Sequence, residues 1–173
     1  DVDAPDALLR LSGPLDGIEI SVQAVTAIKA EAMILRSAYI KGASARCLSI
    51  ASDYAQDRVQ FGRPLSANQV IRHRLSRDAL AVETLKNGLV RALATTGAEA
   101  EMAREALWLN AGRTGPAVAE SAIQVFGGMG FTWDVPLHRY LRQMRAQADY
   151  GAALDRFDTF SDTLLNTSDN SWY

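Results

Sequence analysis

The chain has 173 residues, 48% of them hydrophobic and 22% charged, which suits one globular domain with a core of its own. Eighteen basic against twenty acidic side chains give a net charge of -2, and both signs are interspersed, which argues against nucleic acid or an anionic membrane surface as a partner. Cys47 is the single cysteine, so an internal disulfide and a cysteine-based zinc site are excluded and an intracellular setting fits.

In chain order, residues 1–15 read as a linker from a preceding domain and 16–165 as a helical bundle, followed by a frayed tail over 166–173. Val22 to Leu35 is the most apolar early segment, but Gln23, Thr26, Lys29 and Glu31 interrupt it, short of the roughly 20 unbroken apolar residues of a membrane span. A soluble, cytoplasmic protein without membrane insertion is expected. Strand-like alternation is missing, whereas Ala, Leu, Arg, Glu and Gln abound. A first helix is predicted from Asp16 or Gly17 to Asp57, its apolar residues Ile28, Ala32, Leu35, Tyr39, Ala43 and Leu48 recurring at near-helical spacing. Gly42 inside it predicts a close helix crossing or ligand approach. Phe61-Gly62-Arg63-Pro64 breaks the pattern, and Ser66 is placed to cap a second helix with a stripe of Ile71, Leu75, Ala79, Val82, Leu85, Leu89 and Leu93. A third helix is predicted over Ala98 to Phe126, kinked near Gly112, Gly115 and Pro116, stopping at Gly127-Gly128 before a loop through Asp134. Pro136 suits the first position of a fourth helix, and a last one runs to about Leu165. The fold class is therefore all-α, an antiparallel up-and-down bundle of four to five long helices.

Two segments carry chemistry. Tyr54-Ala55-Gln56-Asp57-Arg58-Val59-Gln60-Phe61-Gly62-Arg63-Pro64-Leu65, followed by Gln69, is similar to the acyl-CoA dehydrogenase pattern of tyrosine, arginine, Q-F-G, proline and a downstream glutamine. Gln124-Val125-Phe126-Gly127-Gly128-Met129-Gly130-Phe131, continuing through Pro136, Arg139 and Arg142, resembles that family's Q-x-x-G-G-x-G-aromatic motif. The resemblance covers about Ala24 to Leu165 and corresponds to the family's C-terminal helical domain. It implies FAD as cofactor, contacted by Arg58, Gln60, Phe61, Gln69, Gln124, Val125, Phe126, Gly127 and Gly128. It also implies an acyl-CoA substrate oxidised to the α,β-enoyl-CoA, an electron-transfer flavoprotein as acceptor, and a homo- or hetero-tetramer. No metal is implied, and His73 and His138 are expected at the surface.

Each candidate has a plainer reading. Arg58 could cap the first helix, where a cation stabilises exposed carbonyls by about 0.3–1 kcal/mol; a guanidinium can also hold a pyrophosphate with paired charge-assisted hydrogen bonds. One glycine after a helix is the commonest helix stop, whereas two in succession also let ribose and phosphate approach the backbone, which the family does on the neighbouring subunit's FAD. Trp108 reads as bundle core, and Trp133 as a loop aromatic at an interface.

The resemblance fails at the catalytic base. Many members carry a glutamate in a Tyr-Glu-Gly-Thr segment, which aligns its tyrosine with Tyr150, its glutamate with Gly151 and its threonine with Ala153. Asp149 is the other nearby carboxylate, shorter and two positions early. Other members place the base on the first helix, where the register falls on Ala32, one residue and 100° of helix from Glu31. Glu31 is either that base or a solvated charge. A complete flavin clamp without the usual base resembles bacterial dehydrogenases, some acting on sterol side-chain thioesters, in which two unlike subunits pair and one supplies the base. The alternative to a catalytic subunit is thus a non-catalytic partner completing a sister's flavin site.

Overall fold

The computed structural model describes residues 17, 20–97, 99–149 and 155–167. Five helices make up nearly all of it: α1 (Val22–Asp57), α2 (Gln69–Ala94), α3 (Glu99–Phe126), α4 (Leu137–Asp149) and α5 (Asp155–Thr167). Between α1 and α2 lies a two-stranded antiparallel hairpin, β1 (Val59–Gln60) and β2 (Arg63–Pro64), a local ornament on an all-helical architecture.

Local chemistry sets the helix ends, and several differ from expectation. The Ser21 hydroxyl accepts from the Ala24 N–H at 3.2 Å, so α1 starts at Val22 rather than at Asp16 or Gly17. Ser66 does not cap α2. It sits in a 3-10 turn, Leu65–Ala67, and the N-cap residue is Asn68, whose side chain is held elsewhere by Arg63 and the Leu65 carbonyl. Gly97, with φ of 69°, lies in the turn between α2 and α3. α3 begins with Glu99 and Glu101, favourable charges near the positive end of a helix dipole, and runs through Pro116 without interruption. The segment after Phe126 winds into a 3-10 turn, Gly127–Phe131, rather than an open loop. Pro136 lies just before α4, its carbonyl accepting from the Arg139 and Tyr140 N–H groups.

α3 is the central helix, packing against α1, α2 and α4. It crosses closely at Gly115, where a Cβ would come within 2.2 Å of Ile40 Cγ2 and 3.2 Å of both Met144 Sδ and Ser44 Oγ. Gly42, by contrast, has nothing within 4 Å of such a Cβ and is exposed, so the close crossing predicted there belongs to Gly115. The face that α1 buries is made of small residues: Ser37, Ala43, Ser44, Cys47, Ala51 and Ala55, with Ile40 as the one large member. Ser37 and Ser44 donate to the carbonyls of Met33 and Ile40, each at 2.7 Å, so neither hydroxyl is orphaned by burial. Ile28, Leu35 and Tyr39 lie outside this contact face and are exposed. On α2, Leu85 is fully buried, Ile71, Leu75 and Leu89 are half-buried, and Leu93 is 62% exposed, against the expectation of a wholly buried stripe. Trp108 is core, packed with Leu109 against Met33 and the α5 residues Phe157 and Phe160.

Candidate functional site

Two chain segments far apart in sequence meet at one end of the bundle. The last turn of α1 carries Tyr54 and the last residue of α3 is Phe126; their rings stack at 3.9 Å between centroids with 14° between planes. The Tyr54 hydroxyl also donates to Met129 Sδ at 3.9 Å, tying the glycine-rich turn to α1. Aromatic pairs contribute about 0.5–1.5 kcal/mol beyond area burial, and here the stack fixes the spacing of both motifs. Tyr54 belongs to the first motif, but nothing in its sequence context marks it as the link to the second.

From this joint the first motif projects outward. Arg58 is the C-cap residue of α1: its backbone N–H donates to the Tyr54 carbonyl at 2.9 Å and its own carbonyl accepts from Leu65 at 2.9 Å, closing the base of the hairpin. The backbone thus performs the cap, and the exposed guanidinium is not needed for it. Val59 pairs with Pro64 and Gln60 with Arg63, leaving Phe61-Gly62 as a two-residue turn. Both turn residues have positive φ, 54° and 77°, the signature of the type I′ hairpin. For glycine this is free; for Phe61 the left-handed backbone costs roughly 1–2 kcal/mol, and the side chain recovers nothing within this chain because it is 99% exposed. Gln60 spends its amide on the Val59 carbonyl at 2.8 Å. Gln69 opens α2 and is exposed.

In the second motif, Gln124 is exposed on the last turn of α3, Val125 is buried so that only its backbone could face a ligand, and Phe126 is the half-buried stacking partner. Gly127, with φ of 62°, ends the helix. Gly128 has an ordinary backbone, and a Cβ added to it would meet nothing within 4 Å. Gly130 is different in kind: its Cβ would press on the Ile123 carbonyl oxygen at 2.7 Å, so this chain's own packing requires that glycine.

Beyond the turn, Trp133 is exposed, edge-on to His138 at 4.9 Å and beneath the Arg139 guanidinium at 5.3 Å. His138 is half-buried, with both ring nitrogens shielded and lacking a hydrogen-bond partner among the described residues, which corrects its expected surface position; His73 is exposed. Of the base candidates, Glu31 is exposed on α1, about 27 residues and therefore roughly 40 Å of helix from Arg58. Asp149 is exposed at the end of α4. Tyr150, Gly151 and Ala153 lie outside the described residues. No group of three or more metal-ligating side chains occurs among the described residues, and no helix is long and apolar enough to cross a membrane.

A helical bundle with an arginine hairpin and a double-glycine turn at one end defines the C-terminal domain of the acyl-CoA dehydrogenases. The model of that family, "Acyl-CoA dehydrogenase, C-terminal domain", matches residues 23–151, and the chain belongs to the family. Among curated relatives, it is 29% identical over 148 residues to the acyl-CoA dehydrogenase IpdE2 of Mycolicibacterium smegmatis, covering 83% of this chain and 45% of that protein. It is 33% identical over 118 residues to IpdE2 of Mycobacterium tuberculosis, covering 68% and 36%. Among solved structures, the ChsE4-ChsE5 complex from Mycobacterium tuberculosis superposes with a TM-score of 0.75 at 26% identity, over 84% of this chain and 41% of the matched chain. The chain thus spans less than half the length of these proteins.

Proposed function

We propose that this chain is the flavin-clamping, subunit-joining part of an FAD-dependent acyl-CoA dehydrogenase that oxidises an acyl-CoA thioester to the α,β-enoyl-CoA and passes the electrons to an electron-transfer flavoprotein. The observation that carries the reading is the Tyr54–Phe126 stack, which brings the arginine hairpin and the glycine turn to the same end of the bundle. The residues there suit a flavin dinucleotide. Arg58 offers an exposed, fork-shaped cation for a pyrophosphate. Phe61 is held in a strained conformation with its whole ring outward, and Gly128 leaves its backbone bare. Gln69 and Gln124 add exposed amides. Bound FAD would supply the hydride acceptor. Since all these groups face outward, the flavin they hold is one shared with another subunit, in a homo- or hetero-tetramer. We place the protein in the cytoplasm.

Two observations favour a second reading, in which the chain is a non-catalytic partner of a glutamate-bearing sister. The register of the usual base falls on Gly151, which can do no acid–base work. A protein of similar structure is a complex of two differently named chains.

The experiment is turnover of acyl-CoA thioesters with an artificial electron acceptor by the full-length protein, wild type and Glu31→Gln. Removal of a general base typically costs 10² to 10⁴ in rate. A homomer that turns over and loses that activity in Glu31→Gln establishes Glu31 and refutes the partner reading. A silent homomer that becomes active with a glutamate-bearing sister establishes the partner reading.

A further inference from the structure

A cavity of about 770 Å³ that shares no lining residue with the two motifs lies between α2 and α3, with Phe157 of α5 in its wall. Its volume is that of a small-molecule site. Arg74 and Arg77 line it from α2 and Arg113 from α3, so three arginines border one space. The single carboxylate in the wall is Asp78. It is already engaged: Ser121 donates to Asp78 Oδ2 at 2.6 Å, and Arg74 Nη1 lies 3.4 Å from the same Ser121 hydroxyl. Burial pushes the Asp78 carboxyl up from its usual range, against the lowering effect of Ser121, Arg74 and Arg77. Arg113 rests its guanidinium 5.1 Å above the Phe157 ring, a contact made through the face of the guanidinium rather than its in-plane N–H donors. Thr114 donates to Asn110 Oδ1 at 2.8 Å, and both residues line the cavity. His73 is the other titratable residue of the wall.

Like charges gathered on one wall repel, and an anion placed among them adds attractive pairs that offset the repulsion. Guanidinium forks match the oxygen spacing of a phosphate group and bind it bidentately. Val70, Val118 and Phe157 offer apolar wall for a carbon skeleton attached to it.

We infer that this cavity binds a small-molecule phosphate ester, held by Arg74, Arg77 and Arg113 with Asn110, at a site separate from the flavin clamp. The test is calorimetric titration of the full-length protein in its native assembly with inorganic phosphate and with phenyl phosphate at constant ionic strength. Saturable binding is expected, tighter for phenyl phosphate, and weakened roughly tenfold or more by Arg77→Gln and by Arg113→Gln, each of which removes a charge-assisted contact. Flavin content and assembly size stay unchanged in both variants, since neither residue belongs to the clamp. A titration without saturation, or undiminished binding by the Arg77→Gln/Arg113→Gln double variant, overturns the inference. It is equally overturned if the wild type ignores phosphate while the double variant dissociates on size-exclusion chromatography, because the cavity then receives carboxylates of a neighbouring subunit.

Discussion

The glycines of the turn at Gly127–Phe131 divide into one that the fold requires and one that it does not, and alanine separates them. In Gly130→Ala the new methyl group meets the Ile123 carbonyl oxygen at 2.7 Å, with Ile123 Cγ2 at 3.0 Å and Cα at 3.1 Å. Two of those three atoms are backbone within α3, which cannot swing aside as a flexible side chain can. Overpacking of this sort costs about 1–3 kcal/mol, which for a chain of this size lowers Tm by about 2–12 °C. In Gly128→Ala the methyl group meets nothing within 4 Å and the backbone is already acceptable to alanine, so Tm should hold or rise slightly. If a flavin phosphate or ribose lies against that backbone, the same methyl group must weaken FAD binding. Thermal unfolding followed by circular dichroism gives the first quantity for the apoprotein, and flavin fluorescence titration gives the second. The reasoning is refuted if Gly130→Ala melts like wild type, or if Gly128→Ala binds FAD with unchanged affinity.

Gly115→Ala should destabilise by about 1–3 kcal/mol through its contact with Ile40; combined with Ile40→Ala, which removes the opposing methyl group, the loss measured by urea unfolding should be smaller than the sum of the two single losses, and strict additivity would contradict the crossing geometry. Burial pushes the Cys47 thiol from 9.0 up to about 12, so a thiol reagent at pH 8 should label Cys47 only after unfolding. Because the folded state keeps that proton longer than the unfolded one, Cys47 should also make stability fall as pH rises from about 9 to about 12, an effect that Cys47→Ala should remove; rapid labelling of the native protein would contradict both statements.

Helix number, order and approximate extent were legible because long runs of helix formers punctuated by glycine and proline leave little choice of local structure. Which face each helix buries was less so. Ile28, Leu35, Tyr39 and Leu93 fit a helical stripe, yet they are exposed, while the contact face of α1 is built from serine, alanine and Cys47. A stripe of large apolar residues says that some surface will be covered, not that the same chain covers it; close helix approach instead selects small residues, which carry little hydrophobic signal. The hairpin escaped notice because strand pairs of two residues have no periodicity to read, and Asn68 prevailed over Ser66 as the N-cap because the 3-10 turn places the helix start two residues later than serine suggests. Arg58, Phe61, Gly127 and Gly128 were singled out through the resemblance of their two motifs to the family's. Their meeting point was not, since Tyr54 and Phe126 touch only through the packing of α1 on α3.

The central claim, that the outward-facing end of this bundle clamps a flavin, is tested most directly by the affinity of the full-length assembly for FAD with Arg58 as wild type, alanine and lysine. Loss of a charged hydrogen bond should weaken binding by about 1.5–3 kcal/mol in Arg58→Ala, and Arg58→Lys should recover only part of it, because an ammonium cannot reproduce the paired contacts of a guanidinium. Equal FAD affinity in all three proteins would contradict the claim and leave Arg58 as a residue whose backbone ends α1 and whose side chain serves no cofactor.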